Sequence, residues 1–407
     1  METIPSALED VRVIDLADEK GLYCAKLLAD LGADVIKIEP PGGHPTRNRG
    51  PFFHDKPHPE KSLYFFNLNT NKRSITLNVE SPDGRDLFKR LVATADVVVE
   101  TFPPGYLDSL GLGYEALQQV KPDLILTSIT PFGQTGPYKD YKASDIVGTA
   151  MGGQMYLAGF LDRPPDRPGA SQAYHQASLH AAVGTMFALY HRDLTGQGQQ
   201  VDVSMQECVT LSMETAMQFF DLRGEIRRRV GERTGDRHRY TVTGLYPCKD
   251  GYMVWMVGIR GWDALVGWLA DEGVAEDLTD EKYQDPNERL RALDHIDAIF
   301  GRFVRDRSRQ ELYHEGQRRG IICVPVNSVA DLLQDDQLLS RGYFVDVEHP
   351  ELRAVLRYPG PPYRLSETPW RMGRRPPLIG EHNLEVYEKD LGISRQELAR
   401  LKEMGVI

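Results

Sequence analysis

The sequence predicts an α/β protein built on a parallel, doubly wound sheet, and three observations lead to this class. Short β-branched runs alternate with stretches of helical periodicity over the first third of the chain. The first strand–helix–strand unit, residues 11–38, spans about 28 residues, the size of a compact βαβ crossover with parallel strands. At 407 residues the chain can bury a large core and is long enough for two domains.

Each element of the first domain is assigned from its apolar pattern. The runs at 11–16 and 35–38 are short and β-branched, as buried strands are, and Gly32 suits the left-handed position after the helix between them. Residues 40–62, rich in Pro, Gly and His, are predicted to form a long functional or mobile loop. Further strands are predicted at 95–99, 124–128 and 200–204, and helices at 22–31, 84–93, 114–120, 177–190 and 206–220.

A change in composition marks the end of that domain. Residues 223–239 are charged, contain glycine and offer no core face, so we assign them as a linker. Residues 240–257 carry two apolar strands around the turn Lys249-Asp250-Gly251, the pattern of a hairpin. The strand-like run 321–326 is expected to return the chain to the first domain. We therefore predict a large domain at 1–222, a linker at 223–239, a smaller α+β domain at 240–320 and a return to the large domain over 321–407.

Charge and cysteine usage narrow the classes of function. A net charge of −11 argues against nucleic acid as a main partner, because phosphate backbones attract basic faces. The chain starts without a secretory pattern, and no apolar run reaches the roughly 20 residues that span a bilayer. We therefore expect a cytoplasmic protein that binds no membrane. The four cysteines lie far apart without a CxxC pair, which predicts reduced thiols and no metal site.

Phosphate-loop and hydrolase motifs are missing from the sequence, which contains no GxGxxG, GxxxxGKS/T or GxSxG. The first strand–helix turn reads Asp18-Glu19-Lys20-Gly21, and its acidic pair disfavours a phosphate at that helix start. These observations argue against NAD or ATP enzymes of the standard type and against α/β-hydrolases.

Eight segments, spread in order over almost the whole chain, carry a resemblance. They are LLADLGADVIKIEPPGG (27–43), NKRSITLN (71–78), ADVVVETFPPG (95–105), LGLGYEAL (110–117), SITPFGQTGPY (128–138), LTGQGQQVDVSM (194–205), YPCKDGY (246–252) and PPLIGEHN (376–383). Together they resemble the class III CoA-transferases, a family that includes formyl-CoA transferase, carnitine CoA-transferase and α-methylacyl-CoA racemase. The resemblance implies a Rossmann-like large domain, a smaller domain and two chains threaded as interlocked rings. It also implies coenzyme A or acyl-CoA as substrate, without a metal.

The resemblance points to one unusual position. In these transferases an aspartate just before the long apolar helix attacks the thioester and forms a mixed anhydride, and the register here places Tyr174 in that slot. A phenol, with an ordinary pKa near 10, gives a stable ester, so we predict that Tyr174 is no nucleophile and packs beside the pocket mouth. In the racemase the aspartate works with a histidine, whose position here is Ser144. Asp145 is the nearest alternative carboxylate.

The resemblance also implies a CoA site with an altered nucleotide end. Thr101 replaces an asparagine that faces the pantetheine, and Glu80 and Ser109 stand where basic residues contact the phosphates. Because phosphate recognition needs cationic donors, we expect compensation from one of three arginines, Arg47, Arg49 or Arg73. The positions that match residues lining the CoA site of formyl-CoA transferase are Leu77, Phe102, Lys142 and Met205.

Three hypotheses follow for the function. Residues 128–146, 151–159 and 171–174 look most like one subunit of succinyl-CoA:benzylsuccinate CoA-transferase, an enzyme of two related subunits. We therefore predict a CoA-transferase subunit that moves CoA from an acyl-CoA such as succinyl-CoA to an aromatic or dicarboxylic acid, with an aspartate-bearing paralogue as its partner. The first alternative is a self-sufficient homodimeric CoA-transferase or acyl-CoA isomerase that uses another group, such as Asp145. The second is a CoA-binding or scaffolding protein without catalysis.

Overall fold

The computed structural model of the protein describes residues 5–231, 240–258 and 261–407. The chain falls into two compact units. The first contains the residues up to Gln154, Arg167–Gln218 and Ser340–Ile407, and the second contains Met155–Asp166 and Phe219–Leu339. Of the predicted linker 223–239, residues 232–239 lie outside the described residues.

The first unit is built on a six-stranded sheet in which all neighbours run parallel. Its strands are β1 (Arg12–Asp15), β2 (Asp34–Glu39), β3 (Arg73–Thr76), β4 (Val97–Glu100), β5 (Ile125–Thr130) and β6 (Gln200–Ser204). Their order is β3-β2-β1-β4-β5-β6, so the direction of winding reverses between β1 and β4. This confirms the predicted doubly wound α/β fold.

Helices cover both faces of this sheet. Val13 and Val97 belong to one apolar core, whereas their neighbours Ile14 and Val98 belong to the other, as the alternation of side chains along a strand requires. The strands are therefore buried on both faces and largely apolar, and the charged side chains that they bury, such as Asp15 and Lys37, need partners. The α-helices between residues 22 and 223 are α1 (Leu22–Asp30), α2 (Leu63–Leu68), α3 (Pro82–Val92), α4 (Tyr106–Ser109), α5 (Tyr114–Val120), α6 (Asp145–Met151), α7 (Gln154–Leu157), α8 (Gln172–Thr195), α9 (Met205–Leu211) and α10 (Ala216–Arg223).

Two helices differ from their predicted limits. Helix α8 begins at Gln172, five residues before the predicted start at 177, and ends at Thr195, followed by Gly196 in the left-handed conformation (φ +74°). The single helix predicted at 206–220 is divided into α9 and α10. Glu214, between them, has a φ of +51°, which no residue inside an α-helix adopts.

The predicted loop at 40–62 is closed across its base by hydrogen bonds. The N–H of Phe53 donates to the carbonyl of Lys61 over 2.8 Å, and the hydroxyl of Ser62 donates to the carbonyl of Arg49 over 2.5 Å. Two short 3₁₀-helices lie inside the loop, at Pro45–Asn48 and Phe53–Asp55. The segment therefore has a defined path and brings its side chains to fixed positions beside α2.

The second unit has an antiparallel sheet of β7 (Tyr240–Cys248), β8 (Gly251–Gly258) and β9 (Ile322–Pro325). The predicted hairpin is confirmed, because β7 and β8 pair around Lys249 and Asp250. The run 321–326 was expected to lead back to the first domain, but β9 pairs with β8. The other elements are α11 (Trp262–Asp271), 3₁₀-helices at Glu276–Thr279 and Glu281–Gln284, α12 (Pro286–Arg291), α13 (Leu293–Arg305), α14 (Arg309–Arg318), α15 (Val329–Leu332) and α16 (Asp336–Ser340).

The C-terminal segment completes the first unit. A hairpin of β10 (Phe344–His349) and β11 (Ala354–Pro359), with a 3₁₀-helix at Pro350–Leu352, precedes a π-helix at Glu385–Asp390 and helix α17 (Arg395–Glu403). The hydroxyl of Tyr387 donates to the carbonyl of Thr76 over 2.8 Å. The C-terminal segment thus packs against β3, which lies at one edge of the six-stranded sheet.

Candidate active site

The candidate site lies where the strand order reverses, outside the carboxyl ends of β1 and β4. In open α/β sheets ligands bind in the crevice at this point. The turn after β1 approaches the end of β4 closely, because the N–H of Asp18 donates to the hydroxyl of Thr101 over 2.9 Å. Gly21 permits this approach, since a Cβ there would lie 2.8 Å from Cγ2 of Thr101. The turn therefore forms one wall of the site.

A buried ion network beneath the turn fixes its shape. The carboxylate of Asp15, the last residue of β1, accepts hydrogen bonds from Lys72 (2.8 Å), from Lys37 (3.3 Å) and from the N–H of Ala17 (2.9 Å). Burial would raise the pKa of Asp15, but the two ammonium groups hold it below its ordinary value. Lys72 also donates to the carbonyl of Leu22 (3.0 Å), which joins the start of α1 to this network.

Asp145 caps the helix that carries Tyr174. The Oδ1 of Asp145 accepts the N–H groups of Ala173 (2.9 Å) and Tyr174 (3.3 Å), and its Oδ2 lies 3.5 Å from Arg167. The side chain of Ser171, which precedes α8, makes no capping hydrogen bond. The carboxylate thus satisfies amides that a helix start leaves open and opposes its positive end. Its capping role could not be read from the sequence, because 28 residues separate Asp145 from Ala173.

The phenol of Tyr174 lies in an acidic environment. Its side chain is buried, with only 7% of the residue exposed. Burial, together with the negative charges of Glu19 and Asp18, raises the pKa of Tyr174 to about 12. One turn further along α8, the hydroxyl of Ser178 donates to the carbonyl of Lys20 over 2.8 Å, which holds the helix against the turn after β1. At neutral pH Tyr174 is therefore a protonated phenol.

A second phenol, Tyr64 in the first turn of α2, faces the same charges. Burial raises the pKa of Tyr64 to about 12; the carboxylates of Glu19, Asp18 and Asp145 add to the shift, and Arg49 opposes it. The guanidinium of Arg49 lies over the Tyr64 ring, 4.1 Å from its centroid. The two tyrosines therefore share one electrostatic neighbourhood, and Arg49 is the cation that acts on Tyr64.

The residues expected to line a CoA site lie in several parts of the first unit. Thr101 and Phe102 follow β4 at the reversal of strand order, and Leu77 is buried directly after β3. Met205 is buried at the start of α9, where a Cβ on Gly148 would lie 2.8 Å from its Cε atom. Lys142 is exposed in the loop before α6.

Two arginines expected from the sequence as phosphate donors form ion pairs, which are buried between Arg47 and Glu39 and partly buried for Arg73. Arg47 forms a bidentate pair with Glu39 (2.6 and 2.7 Å) and a third bond to Glu60 (2.8 Å). Arg73 is paired with Asp34 (2.6 Å), and also contacts Glu385 and Asp390. Because these donors already have partners, both guanidinium groups stabilise the fold, which is not the role expected of them.

The expected nucleotide end carries an acid and two aromatic rings in contact. The hydroxyl of Tyr106 donates to Oε1 of Glu80 over 2.9 Å, and its ring contacts that of Phe102 at a centroid distance of 4.6 Å. The hydroxyl of Ser109 donates to the carbonyl of Tyr106 over 2.7 Å. A carboxylate at this place repels the phosphates that the resemblance would put there.

Glu100 is a buried acid that the sequence analysis did not single out. It ends β4, its Oε2 accepts the N–H of Phe102 over 2.6 Å, and Ser128 bonds to the same carboxylate. Burial raises the pKa of Glu100 to about 7, although these two bonds oppose the shift. The sequence signal for this residue was an acidic side chain directly after three consecutive valines of a predicted buried strand. Glu100 borders a cavity of about 250 Å³ whose wall includes Asp108, Glu115, Ser128, Gln134 and Gln200.

Comparison with known proteins identifies the family. The model for CoA-transferase family III matches residues 8–383. The chain belongs to CoA-transferase family III. This confirms the resemblance read from the eight segments, and with it the family's CoA-transferase activity on CoA thioesters.

Individual family III proteins match over nearly their whole length. The chain is 40% identical to succinyl-CoA:(R)-benzylsuccinate CoA-transferase subunit BbsE of Thauera aromatica, over 97% of each chain. It is 35% identical to succinyl-CoA–D-citramalate CoA-transferase of Chloroflexus aurantiacus, over 99% of this chain and 98% of that protein. The crystal structure of a CAIB/BAIF family protein from Brucella suis is 30% identical and superimposes with a TM-score of 0.85, covering 95% of this chain and 99% of that one.

The described residues contain neither a metal-binding cluster nor a membrane-spanning helix. Nowhere in the described ranges do three or more His, Cys, Asp or Glu side chains group so as to hold a metal ion. No helix within these ranges is long and apolar enough to cross a membrane. Cys24, Cys208, Cys248 and Cys323 are free thiols.

Two substitutions of Asp145 distinguish a capping role of its carboxylate from a catalytic role. Asp145→Asn keeps an acceptor oxygen for the α8 amides, so we expect it to lower the free energy of unfolding by less than about 1 kcal/mol and to leave enzymatic turnover within about threefold. Asp145→Ala removes that acceptor and should cost about 1–2 kcal/mol. Urea denaturation measures the effect on stability, and CoA transfer assayed with the aspartate-bearing paralogue present measures the effect on turnover. Loss of all turnover in a well-folded Asp145→Asn variant would instead make this carboxylate a catalytic group.

Glu100 should make stability depend on pH. Its folded pKa of about 7 lies above the ordinary 4.5, so the folded state holds the proton more tightly and the free energy of unfolding falls as the pH rises through this interval. In Glu100→Gln this contribution is absent. The free energy of unfolding of the variant relative to the natural protein should therefore rise by about 2–3 kcal/mol between pH 5 and pH 8.

Denaturant titrations at each pH measure this difference. Glu403→Gln, at an exposed position at the end of α17, is the matched control and should give a difference that does not change with pH. A flat difference for Glu100→Gln as well would show that Glu100 ionises normally in the folded protein.

Proposed function

We propose that this family III chain is one subunit of a two-subunit CoA-transferase. The enzyme moves CoA from succinyl-CoA, or a related acyl-CoA, to an aromatic or dicarboxylic acid. A paralogous subunit supplies the catalytic aspartate within an interlocked dimer, and this chain supplies the interface and a second pocket. The observation that carries the proposal is the phenol of Tyr174, which stands in the slot of the aspartate and has a pKa of about 12.

The chemistry of the slot supports this division of labour. A phenol with a pKa of about 12 is ionised to only about one part in 10⁵ at pH 7. An acyl group transferred to it would form an aryl ester, which is less reactive than the anhydride of a carboxylate. Asp145, the nearest carboxylate in the sequence, accepts two amides of α8 and lies beside Arg167.

The names of two relatives support the substrate class. Both the relative from Thauera and the one from Chloroflexus are named for succinyl-CoA as donor, and benzylsuccinate and citramalate are both dicarboxylic acids. The relative from Thauera is itself named as a subunit.

The proposed reaction takes place on the partner's aspartate. Its carboxylate attacks the thioester carbonyl, the carbon–sulfur bond breaks, and CoA leaves as a thiolate from an acyl–aspartyl anhydride. The thiolate then attacks the aspartyl carbonyl, releasing succinate and leaving an enzyme–CoA thioester. The acceptor carboxylate attacks this thioester, expelling the CoA thiolate and forming a second mixed anhydride with the aspartate. The thiolate then attacks the acceptor's carbonyl in that anhydride, which gives the new acyl-CoA and releases the aspartate carboxylate. No redox partner or metal enters these steps.

Product analysis tests the proposal. The purified chain, its aspartate-bearing paralogue and the two together are each incubated with succinyl-CoA and benzylsuccinate or citramalate, and new CoA thioesters are measured by mass spectrometry. We expect no product from this chain and full turnover from the pair. Replacing the partner's aspartate by asparagine should abolish turnover, whereas Tyr174→Phe should lower it by less than about tenfold, the value of one hydrogen bond.

Two results would contradict the proposal. Turnover by this chain in isolation would favour a self-sufficient enzyme with another nucleophile. Binding of CoA without turnover, in isolation and with every paralogue offered, would favour a binding protein without catalysis.

A further inference from the structure

Arg49 is held in a defined position although it lies in a long loop. It follows the 3₁₀-helix Pro45–Asn48, and its carbonyl accepts the hydroxyl of Ser62 over 2.5 Å. The same hydroxyl accepts the N–H of Phe65 and so caps α2. The backbone of Arg49 is therefore joined to the start of the helix that carries Tyr64, and both residues keep a fixed relation.

The side chain of Arg49 leaves its donors available. Its guanidinium lies 4.1 Å above the centre of the Tyr64 ring, and a stacked guanidinium still presents N–H groups at its edge. Among the described residues Arg49 forms no salt bridge, whereas Arg47, two positions earlier, uses its guanidinium on Glu39 and Glu60. A free, oriented guanidinium matches the planar geometry of a carboxylate.

The surroundings associate Arg49 with Tyr174, the residue predicted to stand in the slot of the catalytic aspartate. Tyr64 beneath it and Tyr174 are both influenced by Asp18, Glu19 and Asp145. Two of these acids have cations of their own, since Asp18 is paired with Lys20 and Asp145 with Arg167. Arg49 is therefore a cation in this neighbourhood that lies over the Tyr64 ring and pairs with no carboxylate among the described residues.

We propose that Arg49 binds the distal carboxylate of a dicarboxylic acyl group and so determines which acyl-CoA the pocket of this chain accepts. The inference rests on the proposed function in taking a dicarboxylic acyl-CoA as ligand. The thioester of such an acid lies toward Tyr174 and retains one free carboxylate, which the edge of the guanidinium receives through two parallel hydrogen bonds. A monocarboxylic acyl group of equal length offers only a methyl group at this place.

Binding of two acyl-CoA esters tests this role. Succinyl-CoA and butyryl-CoA have four-carbon acyl groups that differ at the far end, where one has a carboxylate and the other a methyl group. Dissociation constants for the purified full chain are measured by calorimetry. We expect the natural chain to prefer succinyl-CoA by about tenfold or more, the value of a hydrogen-bonded charge pair. In Arg49→Gln the preference should fall to less than about twofold, with the affinity for butyryl-CoA unchanged.

Arg227→Gln is the matched control. The guanidinium of Arg227 is also exposed and also lies over an aromatic ring, 4.3 Å from the centre of Phe219, but belongs to the second unit. This variant should keep the natural preference for succinyl-CoA. Thermal melting of all three proteins establishes that the variants are folded.

The outcomes separate this inference from the proposed function. A preference that survives in Arg49→Gln, a natural chain that binds both esters alike, or one that binds neither would each overturn the role of Arg49. Transfer by the pair of subunits is measured independently, so it can persist when the role of Arg49 is rejected. Selective binding that depends on Arg49, without transfer in any combination of subunits, would reject only the proposed function.

Discussion

The buried carboxylate of Asp15 is the group on which the shape of the site depends. It ends the central strand β1 and is bound by Lys37 from β2 and by Lys72, which directly precedes β3, so three neighbouring segments meet at one anion. The three charged groups of this network have no access to water. Removal of one partner from a buried ion pair leaves an uncompensated charge and typically lowers the free energy of unfolding by about 3–5 kcal/mol. Asp15 also accepts the N–H of Ala17, and Lys72 donates to the carbonyl of Leu22. The network therefore fixes both ends of the turn that carries Asp18 and Glu19.

The turn after β1 gives the candidate active site a negative electrostatic environment. Burial is the main reason that the pKa values of Tyr174 and Tyr64 are raised to about 12, and the two carboxylates of the turn add to the shift, so both phenols are protonated at neutral pH. Asp145 adds a third negative charge while it holds the first amides of α8. A negative neighbourhood of this kind disfavours a further carboxylate at position 174, because its ionised form would be repelled. An uncharged phenol at position 174 is consistent with these surroundings.

Most of the fold was predictable from the sequence, because strands and helices buried against one sheet leave short-range apolar patterns. The strands β1, β2, β5 and β6, helices α1 and α5, and the hairpin of the second unit lie close to where those patterns placed them. The misplaced elements depend on long-range contacts or on a single backbone angle. Pairing with β8 decides the position of β9, and the positive φ of Glu214 divides a helix whose composition is helical throughout.

The site was less predictable for the same reason. A motif predicts which residue stands in a given slot, here Tyr174, but the partners of a charged side chain come from remote segments. Arg73 pairs with residues more than 300 positions away, and Asp145 caps a helix 28 positions further on. The phosphate role expected of Arg73 and the catalytic role considered for Asp145 could therefore be weighed only once the fold was known.

Intact-mass spectrometry of this chain together with an aspartate-bearing paralogue, after brief exposure to succinyl-CoA, tests the proposed division of labour between two subunits. We predict a covalent acyl or CoA adduct on the aspartate-bearing partner and none on this chain, with the same result in the Tyr174→Phe variant. An adduct on this chain, mapped to the peptide that contains Tyr174 or to the one that contains Asp145, would contradict this division of labour.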